Sequence, residues 1–193
     1  MAEEGRGELA NDLAMALMNK GNALQSQGRL GETIASYDAA IAIRQRLVDE
    51  EGRQELAGGL AMALANKAFA LAAQQQSQEA LTCFDAAIRW WDYSVQAGMT
   101  HLLPDMLRAI RYCTRLLLAH HQWAAAAANV ARALTHTLPV LQASTLPAEP
   151  LRQERESLLG LLRDLTPDER AEVLAHLGPW AEVVRQLLSQ GEG

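Results

Sequence analysis

LAMALMNKG (Leu13–Gly21) and LAMALANKA (Leu60–Ala68) stand 47 residues apart and differ at two of nine positions. The likeness extends both ways. EEGRGELANDLAMALMNKGNAL (Glu3–Leu24) lies over EEGRQELAGGLAMALANKAFAL (Glu50–Leu71), and ETIASYDAAIAI (Glu32–Ile43) over EALTCFDAAIRW (Glu79–Trp90). A third, degraded copy, MLRAIRYCTRLLLAHHQWAAAAANVARAL, begins near Met106. Its second half fits best at an offset of 46, which sets Ala126, Val130 and Ala133 over Ala80, Phe84 and Ala87. A recurring unit of this size indicates supersecondary units stacked side by side.

Each unit reads as two helices. Leu13, Leu17 and Leu24 recur at helical spacing, as do Ile34, Tyr37 and Ile41. Between them, QSQGRLGE carries Gly28 and Gly31, which break the pattern. Small residues recur at Gly21, Ala40, Ala68, Ala80 and Ala87, where a neighbouring helix can approach closely. Tyr37 and Phe84 fill the space beside them. One hairpin cannot bury both its faces, whereas stacked hairpins share a continuous core.

Composition narrows the function. The net charge of −6 argues against a general nucleic-acid binder. No apolar run approaches the ~20 residues that span a bilayer, and MAEEGRGELA has no signal-peptide core. Cys83 and Cys113 are too few for a disulfide framework and read as buried thiols of a cytoplasmic protein. The sequence holds no Gly-rich phosphate loop, nucleophile elbow or paired-His helix motif. His120 and His121 are adjacent and point about 100° apart on a helix, a poor pair for one metal. His101, His136 and His176 are isolated. No enzyme activity, cofactor or metal is expected.

These residues resemble the tetratricopeptide repeat, whose first helix carries large, large-small and large positions and whose second carries small, aromatic and small ones. Here the pattern is Leu17, Lys20-Gly21, Leu24, Thr33, Tyr37 and Ala40, then Leu64, Lys67-Ala68, Leu71, Ala80, Phe84 and Ala87. The family's unit is ~34 residues and ends in proline. This one has 47 and no proline there, and the extra residues around RLVDEEGRQELAG read as longer helices meeting at Gly52. The resemblance implies an all-α fold, a right-handed α-solenoid of three hairpins over 3–138, in units of about 3–50, 51–98 and 99–138. A Pro-containing loop over 139–150 and a helical cap over 151–190 follow. In the cap, Thr166, Pro167 and Glu169 form a capping box, and Gly178-Pro179 separates two helices. The chain starts inside the repeat period. Either Leu9, Leu13 and Leu17 pack on something, a second copy or further repeats, or the array simply begins at a first helix.

In this family the first helices line a concave groove that holds bound peptides. The resemblance places Met15, Met18, Asn19, Asn22 and Gln25 there from the first unit. It adds Met62, Ala65, Asn66, Phe69 and Ala72 from the second, then Arg108, Arg111, Tyr112, Arg115 and Leu118 from the third. Asn bonds both N–H and C=O of a ligand, and Met adapts to irregular apolar surfaces. Arg108, Arg111 and Arg115 form one helical stripe in a section whose only acid between Asp92 and Glu149 is Asp105. That stripe suits an acidic partner, or else pairs with acids of neighbouring helices. A chaperone-tail clamp is not expected. Asn22 and Asn66 match its asparagines and Arg108 could replace a lysine, but Met18 and Tyr112 stand where it needs Lys and Arg. The expected function is non-enzymatic protein recognition, as an adaptor or part of a larger assembly. A self-assembling structural protein and a sensor of a small peptide or metabolite are the alternatives.

Overall fold

In the computed structural model, residues 2–143 and 148–189 are described, and every regular element among them is helical. The first four helices are α1 (Ala2–Ser26), α2 (Leu30–Asp49), α3 (Ala57–Ala73) and α4 (Ser77–Gln96). They are followed by α5 (Leu103–Ala119), α6 (Trp123–Ala143), α7 (Ala148–Arg163), α8 (Pro167–Ala175) and α9 (Trp180–Ser189). The chain forms two compact units, divided between Leu102 and Leu103.

The turns carry the repeat more plainly than the side chains do. Within each pair a single residue takes a left-handed conformation: Gly28 (φ 71°), Gln75 (φ 63°) and His121 (φ 53°). The following N–H closes the turn onto the preceding helix in the same way each time. Arg29 N donates to Leu24 O at 3.0 Å, Gln76 N to Leu71 O at 3.0 Å, and Gln122 N to Leu117 O at 2.9 Å. Only the first turn uses glycine; Gln75 and His121 bear the cost of positive φ that a Cβ imposes. Between pairs, Gly52 (φ 67°) and Gly98 (φ 96°) each precede a 3-10 turn, Gln54–Leu56 and Thr100–Leu102. From Gly52 to Gly98 the spacing is 46, so one residue of the period is already lost there. The helices expected to meet at Gly52 are therefore separated by a 3-10 turn.

In the first unit α1 packs on α2, α2 on α3 and α3 on α4. Small residues let them approach. A Cβ built on Gly21 would lie 2.4 Å from Tyr37 Cε1, so glycine is required beside that ring. In the second pair Ala68 faces the corresponding space, and Ala40, Ala68 and Ala87 are all fully buried. Lys67 Nζ reaches Asp38 Oδ1 at 2.6 Å, and the buried Arg44 donates from Nη1 to Gly59 O at 2.6 Å; both contacts join α2 to α3. Gln54–Ala73 forms a 20-residue helical stretch long and apolar enough, by length and composition alone, to cross a membrane. This corrects the expectation that no apolar run reaches that length. Half of the stretch is buried inside the unit, because its Ala and Leu positions form the contacts with α2 and α4.

In the second unit α7 packs on both α5 and α6, α8 on α6, and α9 on α7. Leu151, Leu158, Leu159 and Leu162 of α7 are all buried. The capping box is present: Glu169 N donates to Thr166 Oγ1 at 3.3 Å and Thr166 N to Glu169 Oε2 at 3.0 Å, with Pro167 opening α8. The Pro-containing loop expected over 139–150 is corrected. Pro139 lies inside α6, which runs to Ala143, and Pro150 lies in the first turn of α7; residues 144–147 fall outside the described residues. A proline removes one backbone bond, and the buried Thr137 and half-buried Leu138, Val140 and Leu141 hold the helix across the gap.

Candidate functional site

In the first unit the expected lining residues divide into two sets. Met15 (47% exposed) and Met62 (36%) occupy matching positions on α1 and α3 and are open to solvent. Asn19 and Asn22 are exposed, and Asn66 and Phe69 half-buried. Met18 is not available as a lining residue. It is 6% exposed and belongs to the core cluster with Ala14, Tyr37, Ala40, Ala63 and Ala70. That cluster draws on α1, α2 and α3 together, and Ala65, the counterpart of Met18 on α3, is buried too. Phe69 packs edge-on against Phe84, ring centroids 5.0 Å apart at 75°, so part of its face is committed to the hairpin.

The structure brings Asn22 and Asn66 together. Asn66 Nδ2 lies 3.4 Å from Asn22 Oδ1, a long contact that joins α1 to α3. The Tyr37 hydroxyl supports it from below, 2.7 Å from the same Asn22 oxygen and 3.0 Å from Gln25 Oε1. Its single proton serves Asn22, the nearer acceptor, and turning the Gln25 amide gives that residue a donor for the phenol oxygen. Burial pushes the Tyr37 phenol above its usual pKa, so it stays neutral and keeps that proton. Asn22 Nδ2 and Asn66 Oδ1 remain free of hydrogen bonds among the described residues. The result is one donor and one acceptor, held at a fixed place on helices that also bear two exposed methionines, Met15 seven residues before Asn22 and Met62 four before Asn66.

In the second unit the arginine stripe on α5 is largely occupied. Arg108 Nη2 sits 2.6 Å from Asp105 Oδ1, one turn away. Arg111 Nε sits 3.0 Å from Glu154 Oε2 of α7, with both side chains about three-quarters buried (24% and 22% exposed). Tyr112 lies between two guanidiniums: the Arg111 and Arg115 carbons are 4.8 and 4.6 Å from its ring centroid. Arg115 is exposed and has no carboxylate partner among the described residues. Of the two readings of the stripe, pairing with an acid of a neighbouring helix accounts for Arg111, while Arg108 pairs within α5.

Sequence reasoning placed Tyr37 in the core and missed its second role. A signal existed. Where the first copy has Tyr37, Asn22 and Gln25, the second has Phe84, Phe69 and Ala72. The hydroxyl and both its partners change together, as a buried polar network requires. Also unforeseen is a shallow recess on α4 lined by Ala86, Arg89, Trp90 and Tyr93, in which Trp90 and Tyr93 meet edge-on at 6.2 Å. Among the described residues no group of three His, Cys, Asp or Glu is placed to hold a metal ion. Cys83 is half-buried and Cys113 buried, neither in a disulfide among the described residues, and burial pushes the Cys83 thiol above its usual pKa.

Comparisons with protein-family models, with curated proteins and with solved structures find no match to this chain.

Proposed function

We propose that the protein is a non-enzymatic protein-recognition module. In this reading its three hairpins form a right-handed tetratricopeptide-like solenoid closed by the helices after residue 148, and the α1–α3 face of the first unit receives an extended or helical segment of a partner protein. One observation carries the reading. The Asn22–Asn66 contact, anchored by the buried Tyr37 hydroxyl, presents a free amide N–H and a free amide oxygen on the two helices that also carry the exposed Met15 and Met62. An N–H and a C=O of a peptide backbone need that pair of partners, and two adaptable thioethers suit an apolar side chain beside them. Anchoring the asparagines in advance lowers the side-chain entropy lost on binding, about 0.5–1.5 kcal/mol for each side chain immobilised. Arg115 offers a cation to an acidic residue of the same partner class. The reading needs no cofactor or metal.

The test is selection of random linear peptides against the full chain, followed by titration of the enriched peptides. Asn22→Ala with Asn66→Ala should weaken the selected peptides at least tenfold, while stability falls by no more than about 1 kcal/mol, the loss of the Tyr37–Asn22 hydrogen bond. Enriched peptides that bind the double variant equally well, or a library with no enrichment, would remove the proposal.

A further inference from the structure

The two most exposed large apolar side chains among the described residues are Leu9 (70%) and Leu13 (55%), neighbours on α1. They belong to an arc formed by Arg6, Leu9, Ala10, Leu13, Ala16, Leu17 and Lys20. The residues 47 positions on are identical at all seven places: Arg53 and Leu56 at the 3-10 turn before α3, then Ala57, Leu60, Ala63, Leu64 and Lys67 on α3 itself. On α3 the arc is covered: Ala57, Leu60 and Ala63 are fully buried, and Lys67 pairs with Asp38 of α2. On α1 Leu13, Ala16 and Lys20 are exposed and Ala10 is half-buried. The first unit therefore contains both the surface and a worked example of the helix that fits it.

We propose that the Arg6–Lys20 arc of α1 is a docking surface for an amphipathic helix of a partner protein, one with the chemistry of α2. That chemistry is an aspartate opposite Lys20, as Asp38 is opposite Lys67, on an arc shared with apolar residues spaced like Ile34, Ile41 and Val48. Six residues after the aspartate a basic group is favoured. Arg44 of α2 lies against Gly59 of α3, and α1 has the exposed Asp12 at that position. Lysine at one end and aspartate on the flank thus set both direction and register of the incoming helix. A second copy fits less well. Two α1 helices packed antiparallel about Leu13 bring Arg6 of each against Lys20 of the other, and the copies share a net charge of −6. The surface lies on a different arc from Met15, Asn22 and Asn66, so the two docking sites stand or fall separately.

The probe is the chain's own first hairpin. Because Glu3 matches Glu50, joining a copy of residues 3–49 directly ahead of Glu3 keeps the 47-residue period and presents an α2 helix to α1 at high effective concentration. Leu13→Cys, introduced in the original α1, reports access through its rate of maleimide labelling, read at that peptide by mass spectrometry. The extension should slow labelling at least tenfold. Asp38→Lys with Ile41→Asp in the added copy alone should restore the fast rate. Unchanged labelling in the extended chain, or slow labelling that survives those two changes, would overturn the proposal. So would a concentration-dependent dimer of the unextended chain, seen by sedimentation velocity and dissolved by Leu9→Glu with Leu13→Glu, since a second copy would then own the surface.

Discussion

Gly21→Ala adds one methyl group at the tightest contact of the first hairpin. The new carbon would lie 2.4 Å from Tyr37 Cε1, 2.8 Å from Cδ1 and 3.0 Å from Cζ. An ordinary contact is about 3.5–4.0 Å, so the ring must move by roughly 1 Å. Tyr37 is fully buried and its hydroxyl is tied to Asn22 and Gln25, so movement strains packing and hydrogen bonds together. Overpacking of this kind costs about 1–3 kcal/mol, and a disturbed hydrogen bond about 1 kcal/mol more. Replacing a helical glycine by alanine returns about 1 kcal/mol. The net loss should be about 1–3 kcal/mol. The assay is urea and thermal unfolding followed by circular dichroism. The second hairpin supplies a control, because it places Ala68 where the first has Gly21 and Phe84 where it has Tyr37. Gly21→Ala with Tyr37→Phe frees the ring from its anchors and should cost less than the two single changes combined. A Gly21→Ala protein with a midpoint at or above that of the parent would show that the ring has room, and would refute the packing argument.

Other perturbations follow from the same contacts. Ala87 is fully buried on α4, so Ala87→Leu should overpack the second hairpin and lower stability by about 1–3 kcal/mol in the same unfolding assay. Arg111→Ala should cost about 1–2 kcal/mol, more than an exposed pair, because Arg111 and Glu154 are mostly buried; a double-mutant cycle with Glu154→Gln should give a favourable coupling. Stability should fall above about pH 10, where the phenol and the ammonium lose their protons freely in the unfolded chain. Burial raises the folded-state pKa of Tyr37; at Lys67 burial alone would lower it, but the hydrogen bond and charge of Asp38 outweigh that and raise it. Both groups therefore hold their protons longer when folded, and the unfolded state gains as pH rises through that window. Tyr37→Phe and Lys67→Met should each flatten the alkaline limb of the urea midpoint plotted against pH.

The repeat, the helical pairs and the identity of the small positions were all legible in the sequence. Periodicity of 3.6 residues and a 47-residue recurrence are local and additive signals, and they locate the Gly28 turn, the Ala40 and Ala87 contacts and the Thr166 capping box without reference to anything distant. The lining set was legible only as spacing. Tertiary structure decided which of those residues face outward, because exposure depends on what crosses the helix. Met18 is buried in a cluster with residues of α2 and α3 while Met15 stays open, although both fit one helical pattern. It also decided that Arg111 is claimed by Glu154, 43 residues away, a pairing that no local pattern encodes. The arc shared by α1 and α3 makes the same point most sharply. Leu13 and Ala16 are exposed on α1 while their counterparts Leu60 and Ala63 are fully buried on α3, since burial belongs to the neighbour and not to the residue. Proline 139 shows the converse: a local rule that would end the helix yields to the packing on either side of it.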